Sequence, residues 1–417
     1  MLAFFGRLGQ LFTSFQFTFR STRMRFLLVS WFSLGLLLLS ACAGPPALHR
    51  AVLSYDQTIS RLESEMLLLN IARLEADLPP HFTVASSVAA TFNWTASGGV
   101  LGRFDSGPVS SNLLDLTLGA SASENPTFSI VPVTGREFTE RFLTPIRDEA
   151  FEFVVFQGTD IDRVLRLGAR GIELQRPDGS FHRFILNQPS VREEYEEFRR
   201  IVMHLRWLND NRKLFVGTLL FEETLITRPK DHPPTISEIA TAIDKSLTWK
   251  QTAEGRHLLT RKVAGRVAVT NYDPNSLGND ERRALNEVAD RNPSNFVLLD
   301  IRPGHPGGEW PMFGGIKLRS FAGVLAFVAR AISKKPEFDV TRDPRTEAII
   351  DNPTHSLAIE VTDSVPDEAN TWIFHKGRYY SVGDSEWDRR SFLLLTTIYQ
   401  TTVTDVSGVG IPISISK

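Results

Sequence analysis

The sequence predicts an α+β fold: a long N-terminal helix, then antiparallel hairpins and amphipathic helices. Three observations predict it. Apolar residues recur at spacings of four and three from Leu48 to Leu69, and two segments between 82 and 121 alternate with a period of two. The rest mixes helix and strand patterns without strict β–α–β alternation. The roughly 375 residues beyond the first 41 exceed what one hydrophobic core usually organises, so two or three subdomains are expected. They are drawn as 47–150 (long helix and hairpin region), 151–335 (central α+β region) and 336–417 (C-terminal α+β region).

The helix over 46–78 rests on Leu48, Val52, Tyr55, Ile59, Leu62, Met66 and Leu69, and Pro79-Pro80 stop it. About thirty residues at 1.5 Å each make a rod of roughly 45 Å. The stripe is expected to pack, on the neighbouring sheet or on a copy of itself, because wet apolar residues forfeit roughly 1.5–3 kcal/mol each. In HFTVASSVAATFNWTASGGV, Phe82, Val84, Val88, Ala90, Phe92 and Trp94 share one parity, and Thr83, Ser87, Thr91, Asn93 and Thr95 the other. Beyond a long Gly- and Ser-rich turn (97–111), Leu114, Leu116, Leu118 and Ala120 alternate likewise with Asp115, Thr117, Gly119 and Ser121. PTFSIVPV (126–133) reads as a third strand. Thr134 and Glu137 have the spacing of a capping box, opening a short helix that Pro145 closes.

RDEAFEFVVFQG and DIDRVLRLG read as helices, the second with Gly168 just past its end. GIELQRPDGSFHRFIL is a hairpin turning at Pro177-Asp178-Gly179. Next come a long amphipathic helix (190–210), a strand (213–225), a helix behind a second Thr-x-x-Glu box at Thr235, and a strand pair (247–272). The last third gives helix 279–292, strand 295–303, apolar helix 320–335, strands flanking a Lys376-Gly377 turn, and helix 385–400. The Pro- and Asp-rich stretches 229–235 and 336–354 are the expected linkers.

At the N-terminus, Phe26 to Ala41 is uncharged, with Arg23 and Arg25 before it and Gly44-Pro45-Pro46 after it. A basic start, an apolar run too short for a membrane span and small residues at the exit describe a signal peptide over 1–41, with Met24 a cleaner start than Met1. Leu39-Ser40-Ala41-Cys42 contains the single cysteine of the chain and resembles the lipobox of bacterial lipoproteins. The resemblance implies cleavage before Cys42, a diacylglycerol on its sulfur and an acyl chain, such as palmitate, on its amino group. Residues 42–46 would then be the lipidated N-terminus, anchored without spanning. Family pattern also implies passage to the outer membrane, since Ala43 stands where a retaining Asp would be. NPTFSIVPVTGREFTERFLTPI and GRYYSVGD…SFLLLTTIYQ look like stretches of functionally unassigned lipoproteins of Gram-negative bacteria, which carry an address and no catalytic residues.

Residues 1–41 hold four of the 46 basic residues (Arg7, Arg20, Arg23, Arg25) and none of the 48 acidic ones. Residues 42–417 therefore carry 42 basic against 48 acidic residues, a formal charge of −6, which argues against nucleic acid as a partner. Cys42 has no second cysteine to pair with. The nine histidines are scattered, and HExxH, G-x-S-x-G, Walker A and G-x-G-x-x-G are absent, so no metal and no cofactor is expected. Ser414-x-x-Lys417 matches S-x-x-K only at a fraying end. Glu193, Glu194, Glu196 and Glu197 precede Arg199 and Arg200 and fit ion pairs along a wet helix face. His305, Glu309 and Trp310, in the Gly/Pro-rich IRPGHPGGEWPMFGG, form a possible binding loop, weighed against a purely structural one. Trp372, Tyr379, Tyr380 and Trp387 near Asp384 and Asp388 read as hairpin packing rather than as a sugar- or peptide-binding surface.

The leading expectation is a non-enzymatic, periplasm-facing outer-membrane lipoprotein that binds or scaffolds an envelope protein or self-associates. Two alternatives stand beside it: a subunit of an oligomeric pore or secretion complex built from the 82–121 hairpin, and an envelope hydrolase without a readable motif. Alternating segments of more than ten residues have the length of membrane β-strands, while a hairpin with one face on the core gives the same pattern.

Overall fold

The computed structural model describes residues 44–403 apart from 104–112, 134, 177–178, 335 and 368, and for 44–51 and 84–133 it describes the backbone alone. The chain divides into two compact units, 1–60 and 61–417, and the described part of the first is helical throughout. The class is α+β, with nine α-helices and twelve strands in three sheets among the described residues.

Helix α1 (Gly44–Glu75) buries its last turns: Leu67, Leu68, Ile71 and Ala72 are fully enclosed. Asn70 fastens this end, its Nδ2 donating to the carbonyls of Met66 and His81 and its Oδ1 accepting from the His81 N–H. The expected stripe is corrected here. Val52 is 55 % exposed, and within the 61–417 unit Leu62 is 49 % exposed because the face of the helix buried there is that of Leu67, Leu68, Ile71 and Ala72. Leu62→Asp therefore falls on a half-wet position and not, as the periodicity suggests, on a continuous buried seam.

Strands β1 (Phe82–Arg103) and β2 (Leu113–Val133), of 22 and 21 residues, form an antiparallel two-stranded sheet of their own. Two expectations are revised. Residues 126–133 continue β2 rather than making a third strand, and the turn is shorter than the Gly/Ser composition suggests, since Ser97 to Arg103 pair in register with Gly119 to Leu113. Pro126 stands opposite Ala90 without ending the strand, in a ladder where each strand has one edge that no described strand pairs. The register steps between Ala85 and Ser87, leaving Ser86 as a bulge. The foot of the hairpin is fixed: Phe82 is buried among Phe138, Phe142, Phe321 and Tyr399 at ring-centroid distances of 5.3–6.4 Å.

Short helices α2 (Arg136–Leu143), α3 (Asp148–Phe156) and α4 (Ile161–Gly168) lead into the main sheet. The cap of α2 is Gly135 at φ 106°, without a side-chain bond, and not the expected Thr134 box; Thr134 itself lies outside the described residues. Gly168 is the last residue of α4 rather than the residue beyond it. The sheet comprises β3 (Ala169–Gln175), β4 (Phe181–Leu186), β5 (Phe215–Arg228), β6 (Leu247–Gln251), β7 (His257–Thr270), β8 (Phe296–Ile301) and β9 (Met312–Leu318). Its order is β4-β3-β9-β8-β7-β5, with β6 also on β7, and every pairing is antiparallel except β7–β8. Every residue of β8 is buried, which is why FVLLDI lacks alternation.

Between these strands run α5 (Arg192–Asp210), α6 (Ile236–Asp244) and α7 (Asn279–Asp290), and α8 (Phe321–Ser333) comes after β9. The box read at Thr235 is present: its side chain accepts from the Glu238 N–H, and Glu238 reaches back to the Thr235 N–H. A three-stranded sheet, β10 (Ile359–Thr362), β12 (Arg378–Val382) and β11 (Trp372–His375) in that order, turns at Lys376-Gly377, both at positive φ, before α9 (Glu386–Thr402). One hydrophobic cluster takes residues from α1, α2 to α5, β7 to β9, α8 and α9. The 336–354 stretch is no loose linker: Glu337, Val340, Asp343 and Thr346 are buried, and Asn352 donates to the Val340 carbonyl.

Candidate functional site

The loop singled out by sequence runs from β8 to β9, and the structure shows what shapes it. Gly307 and Gly308 are buried. Gly307 sits at φ 74°, where a Cβ would lie 2.9 Å from His204 Nε2. Asn271 spans the loop, donating to the carbonyls of Arg302 and Pro306 and accepting from the Arg302 N–H. His305 and Glu309 are exposed and Trp310 is half-buried. Each has a different neighbour: the His305 ring lies 5.3 Å from that of Tyr272, and Trp310 lies 5.5 Å from His204 with the Arg345 guanidinium 4.2 Å above it. Glu309 acts on His204 only through its charge. Ring contacts thus set His305 beside Tyr272 and Trp310 beside His204.

His204, on α5, is the group this loop closes over. Its Nε2–H donates to the Gly307 carbonyl and its Nδ1 accepts from Thr346 Oγ1, both at 3.0 Å, which fixes the neutral tautomer. Burial holds its pKa below the usual 6.5. The unfolded chain takes up the proton near that ordinary value and the folded chain only at lower pH, so stability falls as pH drops through this window. Urea unfolding is expected to show less stability at pH 5 than at pH 7, with a shallower dependence in His204→Gln. Parallel dependences would remove His204 from the pH response.

Sequence reasoning missed a buried network of arginines. Arg166 on α4 and Arg199 on α5 are almost fully enclosed. Arg166 donates to Ser356 Oγ and the Thr354 carbonyl, and its guanidinium lies 5.1 Å from the Trp387 ring. Arg199 donates to Tyr195 Oη, Asn352 Oδ1 and the carbonyls of Pro353 and Thr354. The carboxylate among them is Glu337, 3.9 Å from Arg166, accepting from Tyr195 Oη (2.7 Å) and from Ser356 N and Oγ (both 2.6 Å). Burial pulls the Arg166 guanidinium down to about 10, with the like charge of Arg199 adding to it. The one available signal was two arginines inside the apolar pattern of IDRVLRLG, whose eight residues are all buried.

The remaining candidates resolve into structure. Glu196 pairs with Arg192 and Arg200, Glu197 with Arg183, and Glu194 accepts from the Leu186 N–H, while Arg199 turns inward. Trp387 is buried, donating to the carbonyls of His355 and Ser356; Tyr380 is buried, and Trp372 packs edge-on to Tyr379. Cys42 and Ser414 to Lys417 lie outside the described residues. Among the described residues no group of three or more His, Cys, Asp or Glu is placed to hold a metal ion, and no helix is long and apolar enough to cross a membrane.

The β1–β2 hairpin stands apart. Beyond Ser86, its register sets Val88 opposite Phe128, Phe92 opposite Glu124, Trp94 opposite Ala122, Gly98 opposite Leu118, Val100 opposite Leu116 and Gly102 opposite Leu114. Directly paired residues share a face, so the two apolar alternations found separately in the sequence fall on one face. Thr91 with Asn125, Asn93 with Ser123, Thr95 with Ser121 and Gly99 with Thr117 occupy the other. From Trp94 to Gly102 no residue is charged, and from Leu114 to Ala122 only Asp115 is, at a polar-face position.

No family model matches this chain, and neither a curated protein nor a solved structure matches it significantly.

Proposed function

We propose that the chain is a lipid-anchored, periplasm-facing protein of the outer membrane whose β1–β2 hairpin joins those of other copies in a closed barrel, as a subunit of a pore or secretion complex. The observation that carries the reading is a two-stranded sheet of 22 and 21 residues that pairs with no other strand described and whose register, over 94–102 and 114–122, sets the apolar alternations of both strands on one face. Such a ribbon is marginal alone and leaves two long unpaired edges, which further strands satisfy and a closed barrel abolishes. The stretch 94–102, with Trp94 at its end, fits the roughly 9–11 residues a tilted strand needs to cross a bilayer and the aromatic girdle at its border. About four copies supply the eight strands of the smallest such barrels. The lipobox at Cys42 supports the address.

The test is reconstitution of the purified, acylated full-length protein into dye-loaded vesicles, with the mass of the extracted species measured alongside. Leakage together with a discrete oligomer is expected. Intact vesicles with a monomer would end the pore reading. A second reading, envelope scaffolding without a pore, is favoured by α6, where Ile236, Ile239 and Ile243 are 88 %, 40 % and 68 % exposed at a helical spacing.

A further inference from the structure

A cavity of about 320 Å³ opens between the start of α8, the α4–β3 junction and the segment after β4. Three of its lining residues are arginines, Arg170, Arg319 and Arg330, and none is a carboxylate. Arg170 and Arg330 are exposed, Arg319 is buried, and none of the three has an ion-pair partner among the described residues. Arg319 is held in place by neutral groups: it donates to the carbonyls of Arg166 (3.3 Å), Leu167 (2.8 Å) and Asn187 (2.6 Å), and its guanidinium lies 4.0 Å from the Phe327 ring. A buried cation met only by carbonyls and a ring keeps its full charge and most of its desolvation cost. Burial accordingly pulls the guanidinium down to about 9; Glu337 opposes this from a distance, and Arg330 and Arg170 add to it.

Two further features line the same space. Asn187 is buried and lines the cavity; its Nδ2 donates to the carbonyls of Arg166 and Ala169, while its Oδ1 has no partner. Ser320 caps α8 by accepting from the Gly323 N–H, and both residues line the wall, so the first turn of this 13-residue helix adds its positive end. Pro145, Leu186, Pro189 and Phe327 make the apolar part of the lining.

We propose that this cavity is a binding site for a small oxyanion-bearing ligand, a phosphate monoester or phosphodiester headgroup held by Arg170, Arg319 and Arg330. A phosphate oxygen accepts charge-assisted bonds from guanidinium forks, and three cations with no carboxylate among the lining residues leave their charge for an anion to balance. The volume suits one headgroup-sized molecule. The site stands on its own residues and holds whether or not the hairpin assembles.

The source of the phosphate is open to direct measurement with the full-length protein in detergent. Glycerol 3-phosphate is titrated calorimetrically, and dihexanoyl phosphatidylglycerol, a short-chain soluble lipid, is compared with dihexanoyl phosphatidylcholine in the same way. Saturable binding of glycerol 3-phosphate assigns a soluble ligand; binding of the phosphatidylglycerol alone, without the soluble arm, assigns a lipid headgroup. In either case Arg170→Ala/Arg330→Ala, which alters two exposed side chains and leaves the buried Arg319 in place, is expected to weaken binding at least tenfold. Lys245→Ala/Lys262→Ala removes equal charge outside the cavity and is expected to bind as wild type. No saturable binding in either arm, or equal loss in both double variants, overturns the proposal.

Discussion

Leu116→Arg is expected to abolish vesicle leakage while leaving the folded body intact. Leu116 pairs with Val100 on the uncharged apolar face of the 94–102/114–122 stretch. On the lipid face of a barrel, an arginine at mid-depth costs about 2–4 kcal/mol, and every copy in the ring carries it, so about four copies lose upwards of roughly 8 kcal/mol of assembly. Thr117 is its neighbour on the opposite face. Thr117→Arg is expected to assemble normally and to shift the leak towards anions, because it adds positive charge to the water-filled side. Leakage of Leu116→Arg at the wild-type rate, or an identical loss in both variants, would show that the two faces are not read by membrane and water.

The second large effect lies in the core. Glu337→Ala is expected to destabilise the 61–417 unit by about 3–5 kcal/mol, the range for removing one partner of a buried charged network. The carboxylate accepts three hydrogen bonds, from Tyr195 and twice from Ser356, and is the counter-charge 3.9 Å from Arg166. Its loss leaves two buried hydroxyl protons and an amide N–H without their acceptor and removes the counter-charge from beside Arg166 and Arg199. Glu337→Gln, which keeps an acceptor, is expected to lose less. Urea unfolding of the two variants decides it; a midpoint within experimental error of wild type for Glu337→Ala would mean that the network is energetically idle.

Both effects rest on features the sequence disclosed unequally. The Thr235 box, the all-buried FVLLDI strand and the Lys376-Gly377 turn were legible because each depends on residues within a few positions of one another. The hairpin was half legible. Its alternation was plain, but Gly98-Gly99 and Pro126 read as breaks, and only the pairing partner shows that a two-stranded ladder tolerates them. The long helix showed its period, but the cluster that covers its last turns includes Tyr399 and residues of α8, far away in the chain. The arginines were illegible for the opposite reason. Charge normally marks a wet face, and Arg166, Arg199 and Arg319 are inside because carbonyls 132 to 188 residues distant, with one glutamate beside them, accept their protons or balance their charge. The 302–311 loop stands out by composition, yet its glycines serve to let a carbonyl approach His204.

Ser86 has a wider meaning than a local irregularity. Below it, Phe82 and Val84 sit opposite Val133 and Val131; above it, Val88 sits opposite Phe128. Because β1 carries an extra residue there, the apolar parity of β2 switches between the foot and the stem. The hairpin is thus written in two reading frames joined by a one-residue phase shift. The foot keeps the frame anchored by the aromatic nest around Phe82, and the stem keeps the other. Substitutions in one frame leave the other in phase, so the body can be repacked without turning the stem inside out.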